Sequence, residues 1–154
     1  MSEVPPGGEA KITVGFKTSG YGGKIMTKRI LVKTDDPDRK KFNLVVTGKV
    51  EKVVDINPSS VYLNGNPGDT LESMITITPS KQFMFTILGL EQKPDSGIMA
   101  TLVPPAKEGD SWQVMVKVFS DKAGNFFDNL ILKTDSVYTP QLKIRVSALF
   151  QKGS

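Results

Sequence analysis

Cysteine and histidine are both absent from the 154 residues, and tryptophan occurs once. Without Cys there is no disulfide, no thiolate metal ligand and no Cys nucleophile. Without His the commonest general base is gone as well. The lack of Cys leaves the redox compartment open, since it means only that no oxidative staple is used. No apolar run approaches the roughly 20 residues of a membrane-spanning helix, so no membrane insertion is expected. Residues 1–8 have neither a basic start nor an apolar core and do not read as a signal peptide. No helical apolar period is sustained anywhere.

What is present is a repeat. Residues 29–50 read RILVKTDDPDRKKFNLVVTGKV and residues 129–150 read NLILKTDSVYTPQLKIRVSALF, aligned without a gap at an offset of 100. Lys33-Thr34-Asp35 returns as Lys133-Thr134-Asp135. Apolar meets apolar at Ile30/Leu130, Val32/Leu132, Phe42/Leu142 and Leu44/Ile144. Upstream, Ile12, Val14 and Phe16 align with Trp112, Val114 and Val116. A fixed period of this kind marks a repeated structural unit.

The composition, with 14 Gly and 10 Pro, suits a turn-rich β protein. Residues 10–17 alternate apolar and polar, as a half-buried strand does. Two more strands are expected at 24–34 and 40–50, around the turn Asp35-Asp36-Pro37-Asp38. Residues 50–54 contain no Gly, Pro or Ser, so a stiff junction is expected rather than a tether. Beyond it, strands are predicted at 53–56 and 60–63, flanking a break at Asn57-Pro58-Ser59. Others follow at 71–78, 83–92, 98–103, 111–119, 126–134 and 140–150. Residues 83–92 are apolar on both faces, as a strand central to a sandwich is. The last three repeat the strands of residues 10–50.

Seven or so strands in about 100 residues is the count of an immunoglobulin-like sandwich. The expected fold class is therefore all-β. Residues 52–151 form a complete immunoglobulin-like β-sandwich. Residues 1–51 form a truncated unit with the last three strands only, as in a piece of a longer tandem array. Lys152-Gly153-Ser154 reads as a vector-derived tail.

Pro6-Gly7-Gly8, a strand ending at Phe16, the turn glycines Gly22-Gly23, Lys33-Thr34-Asp35-Asp36-Pro37 and Thr47-Gly48-Lys49-Val50 carry a resemblance. Together they resemble the bacterial immunoglobulin-like family of unknown function, related to Hydin-type and major-sperm-protein-like modules. The match is fuller over 5–50 than over 52–150, where Ser136-Val137 stands for Asp36-Pro37 and Ala148 for Gly48. The resemblance implies a seven-stranded sandwich, a tandem arrangement and an extracytoplasmic setting, periplasmic or cell-surface. That family has no catalytic motif, so no functional residue is carried over.

Chemistry-bearing motifs are scarce. No Ser-x-x-Lys stands at a helix start. Asp35, Asp36 and Asp38 could offer oxygens to Ca²⁺. Lys33, Arg39, Lys40 and Lys41 crowd the same turn, however, and capping is the expected role. Gly20-Tyr21-Gly22-Gly23-Lys24 lacks the order and the following helix of a phosphate loop and reads as a hairpin turn. No metal, cofactor or catalytic residue is assigned.

The formal charge of +4 is uneven: residues 1–50 hold ten basic and five acidic residues, the rest ten and eleven. Lys28, Arg29, Arg39, Lys40 and Lys41 form a possible interaction surface for phosphates or other anions. Single-strand nucleic acid also needs aromatics for base stacking. Here Phe16 and Phe42 fall on the apolar face, so nucleic acid is disfavoured. Trp112 shares the inward parity of Val114 and Val116 and is assigned to the core. Phe126 and Phe127 are adjacent on a strand, so both cannot face inward, and one is expected at an interdomain or partner surface.

The favoured function is a non-enzymatic structural or protein-interaction module, recognising partners through strand addition or loops. The alternative is a basic anion- or nucleic-acid-binding module using residues 24–41. Three strands without a facing sheet would expose Ile30, Val32, Phe42, Leu44 and Val46, so a homodimer through residues 8–50 is expected.

Overall fold

Ten strands and no helix are found among the residues that the computed structural model describes, 3–153. Met1 and Ser2, which begin the stretch read as no signal peptide, lie outside the described residues, as does Ser154 of the expected tail. No helix of the described residues is long and apolar enough to cross a membrane. Two units separate, Met1–Glu51 and Lys52–Ser154.

In the first unit β1 (Ile25–Lys33) and β2 (Lys41–Lys49) form one antiparallel hairpin. The strand expected at 10–17 is absent. Those residues keep their alternating pattern but pair with no neighbour. The physical reason lies in the second unit, where the equivalent segment is hydrogen-bonded within the opposite sheet from the hairpin. A strand exists only where its N–H and C=O groups find a partner chain, and the first unit has no second sheet among the described residues. The expected three strands are therefore two.

The second unit contains β3 (Val54–Asn57), β4 (Ser60–Gly65), β5 (Thr70–Pro79), β6 (Ile87–Glu91), β7 (Ile98–Val103), β8 (Trp112–Phe119), β9 (Gly124–Thr134) and β10 (Gln141–Phe150). One sheet runs β3-β5-β8-β7 and the other β4-β10-β9-β6. Taking β3 and β4 as one split strand, this is the A-B-E-D and C-F-G arrangement of an immunoglobulin-like sandwich. The split falls at Asn57-Pro58-Ser59, where Pro58 has no N–H for a ladder. Past it the chain changes sheets, and β4 pairs with β10 in parallel.

Period-two alternation then fills the space between the sheets. Ile75, Ile77, Val114, Val116 and Val118 come from one sheet, and Leu130, Leu132, Ile144 and Val146 from the other. None of them exposes any surface. Each is worth roughly 1.5–3 kcal/mol on burial. Trp112 packs against this cluster while half-buried.

The segment predicted as a central strand is corrected. β6 spans only Ile87–Glu91 and lies at the edge of its sheet, paired to β9 alone. Ile87 points inward, but Leu88 is 67% exposed. Apolar residues on both faces do not report how many neighbours a strand has.

Candidate functional site

The two hairpins keep the same register as well as the same sequence. Lys33 faces Lys41 and Ile30 faces Leu44 in the first; Lys133 faces Gln141 and Leu130 faces Ile144 in the second. Their turns are built alike. Thr34 Oγ1 donates to the Arg39 carbonyl at 2.6 Å and accepts from the Asp36 amide at 3.2 Å. Thr134 Oγ1 donates to the Thr139 carbonyl at 2.5 Å and accepts from the Ser136 amide at 3.2 Å. Asp36 Oδ1 accepts from the Asp38 amide at 2.8 Å, so this carboxylate supports the turn. Among the described residues no group of three or more His, Cys, Asp or Glu is placed to hold a metal ion.

The third repeated residue behaves differently from the expectation. Asp135 does not cap its own turn. Its Oδ1 accepts from the Thr86 amide at 2.7 Å and its own amide donates to the Thr86 carbonyl at 3.1 Å. A carboxylate and a backbone amide thus clamp the chain just before β6. Sequence spacing gave no sign of a contact 49 residues away.

Strand parity divides the basic residues singled out from the sequence. Arg29, Lys33 and Lys41 alternate with the apolar positions and share one face of the hairpin. Lys28 lies on the other face, beside Ile30, where Nζ donates to the Gly15 carbonyl at 2.6 Å and sits 5.5 Å from the Phe16 ring. Arg39 and Lys40 are in the turn, where their carbonyls accept from the Thr34 side chain and amide. Phe16 and Phe42 are not on the Arg29 face, which therefore has no ring from either to stack a base.

Phe126 and Phe127 separate as alternation demands. Phe126 packs against the core, edge-on to Phe150 at 5.7 Å between centroids. It also fills the space above Gly97, where φ is +73° and a Cβ would lie only 2.9 Å from the ring. Phe127 points outward, 42% exposed, with the Arg145 guanidinium 4.9 Å from its ring centroid. Ser147 of β10 lies opposite Phe127 on one side and Tyr62 on the other. Tyr62, Phe127 and Arg145 thereby line a surface groove of about 400 Å³. Tyr62 and Arg145 were not singled out from the sequence. Their outward parity was readable there, but the parallel β4–β10 pairing that joins them to Phe127 was not.

Beneath this face Asp128 is fully buried, with Oδ2 accepting from the Lys93 amide at 2.9 Å. Its Oδ1 has no hydrogen-bond partner. The carboxylate anchors the 93–97 turn to β9.

Strand order and core define an all-β, immunoglobulin-like sandwich. No protein-family model matches the sequence, and no curated protein matches it with significance. Among solved structures it is similar to a protein of unknown function from Porphyromonas gingivalis W83. That match has a TM-score of 0.52 at 12% identity and covers 85% of this chain and 68% of the other. The ASH/PapD-like domain 7 of human CEP192 aligns with a TM-score of 0.48 at 12% identity, over 66% and 87% of the two chains. The GspB Siglec domain aligns at 0.41 and 14%, over 66% and 58%. Likeness at such identity is one of fold and assigns no activity.

Proposed function

We propose that the chain is a non-enzymatic structural and protein-interaction module, engaging a protein partner through the outer face of β4, β10 and β9. The observation that carries this reading is the grouping of Tyr62, Phe127 and Arg145 on one exposed surface. Aromatic residues and Arg dominate the energetics of protein interfaces, the rings because they bury much area at little entropic cost and Arg because its planar guanidinium stacks and hydrogen-bonds in a fixed geometry. The family resemblance of residues 5–50 supports a tandem arrangement and an extracytoplasmic setting, and the family has no catalytic motif.

The test compares the natural chain with a Tyr62→Ala/Phe127→Ala/Arg145→Ala variant on an affinity matrix exposed to extract of the source cells. One stoichiometric protein retained by the natural chain and lost by the variant, at unchanged thermal stability, is the expected result. Equal retention by both rejects the surface.

Anion or nucleic-acid binding by residues 24–41 is the second reading. It is favoured by Arg29, Lys33 and Lys41 sharing one face. Retention on heparin that falls steeply with salt, and that is abolished by replacing these three with Glu, would put it first.

A further inference from the structure

The hairpin of the first unit is a control for that of the second. Both have the same register, so a side chain found in only one is not required by the hairpin. On the outer face Phe127, Lys143 and Arg145 of the second unit stand where the first has Thr27, Asn43 and Val45. The ring and the two cations are therefore additions to a shared framework. Their charge is also uncompensated. No outward residue of β4, β9 or β10 is acidic. Lys133 is held by Glu91 at 2.6 Å, but Lys143 and Arg145 have no ion partner among the described residues. Residues 52–154 carry ten basic and ten acidic residues, so the positive face is a local feature.

We propose that this face binds an extended acidic segment of a partner protein, laid along β10. A bulky apolar side chain of the segment enters the notch over Ser147, and carboxylates follow two and four residues away. Tyr62 and Phe127 stand on either side of Ser147 in one row across three strands, so the small residue forms the floor of the groove. Lys143, Arg145 and Ser147 succeed one another on the outward side of β10, at a step of roughly 6.6–6.8 Å. An extended chain repeats at the same step, so every second side chain of the segment meets one of them. Arg145 is already held, its guanidinium 4.9 Å from the centre of the Phe127 ring. That lowers the cost of ordering it and leaves its N–H donors for a carboxylate.

Charge selects this occupant over three others. An uncharged apolar segment would cover Lys143 and Arg145 without giving them a partner. A second copy of this face would set cation against cation. Nucleic acid draws its affinity from many phosphate contacts, whereas two unpaired cations match the carboxylates of a short segment. Beyond Phe127, moreover, the surface turns mixed, with Lys93 and Asp95 in the adjoining hollow. The proposal rests on reading this face as a protein interface, and it adds what the partner must present.

The experiment titrates the fluorescent peptide GESESFSESEG into the full chain. Its phenylalanine has glutamates two and four residues away in both chain directions. Saturable binding is expected. It should weaken about tenfold for the isomer GSESEFESESG, in which every glutamate moves by one residue and faces away from the sheet. Lys143→Glu should weaken binding about fivefold, and a peptide with lysines for the outer glutamates should recover it. Ser147→Leu fills the notch but leaves the ring and cations in place, and it should abolish binding at an unchanged urea midpoint. Absence of saturation at millimolar peptide overturns the proposal. So does equal affinity for the isomer, or equal affinity in Ser147→Leu. Tighter binding of a thymidine oligonucleotide than of the peptide, lost in the same variants, would make nucleic acid the occupant and equally overturn it. Lys143 lies outside the surface of Tyr62, Phe127 and Arg145, which separates the two ideas. A cellular partner lost by the triple alanine variant, yet kept by Lys143→Glu and not displaced by the peptide, would keep the interface and reject the acidic segment.

Discussion

Thr134 and Thr34 occupy the same position in two turns of the same design, and they differ in what surrounds them. The Thr134 hydroxyl serves the Thr139 carbonyl and the Ser136 amide in a partly buried site, whereas every group bonded to Thr34 is exposed. An exposed polar group that loses its partner turns to water; a sheltered one cannot, and its desolvation then counts in full. Thr134→Val is isosteric and should lower stability by about 1–3 kcal/mol, read as a fall in the urea midpoint at constant slope. Thr34→Val should change it by less than about 0.5 kcal/mol. Equal losses would mean that the hydroxyl acts through turn geometry and not through burial.

At the scale of the element, Asp135 decides whether an edge strand stays on its sheet. β6 is short, bulged between Ile87 and Gly89, and paired on one side only, so it has few other attachments. Asp135→Ala removes the bond from the Thr86 amide. It should cost about 0.5–1.5 kcal/mol, with amide exchange accelerated in Ile87–Glu91 while β5 and β8 stay protected. Uniform acceleration across both sheets would mean that β6 opens only with the whole unit. Such contacts mark the limit of what was legible in the sequence. Faces were readable, because alternation alone sets them: Ile75, Leu130 and Ile144 are buried where parity put them, and Phe126 and Phe127 part as expected. Neighbours were not. Residues 10–17 alternate like a strand and have none, while 83–92 looked central and end at an edge. The same gap hid the candidate surface, since Tyr62 and Arg145 meet Phe127 only through pairings that alternation does not encode.

For the whole molecule, the question is what becomes of the first unit's apolar face. In the second unit Leu142, Ile144 and Val146 are shut away beneath the opposite sheet. Their counterparts Phe42, Leu44 and Val46 remain 40%, 38% and 37% exposed, on a hairpin with no facing sheet among the described residues. Full burial of such a side chain is worth roughly 1.5–3 kcal/mol, and each is already more than half covered, so covering the rest of all three gains roughly 2–4 kcal/mol, which favours association as part of a larger interface. A second copy offers the matching face, and two hairpins related by a two-fold axis are self-complementary. The chain should therefore be a homodimer through residues 8–50. Light scattering should give twice the monomer mass at micromolar concentration. Leu44→Asp with Val46→Asp should return the mass to that of the monomer, because carboxylates in that face would be buried without partners. The urea transition of residues 52–154 should not move, since that unit closes its own core with Ile75, Val116, Leu132 and Val146. A monomeric natural chain whose residues 1–50 nonetheless resist protease would defeat the dimer and mean that the face is covered within a single molecule.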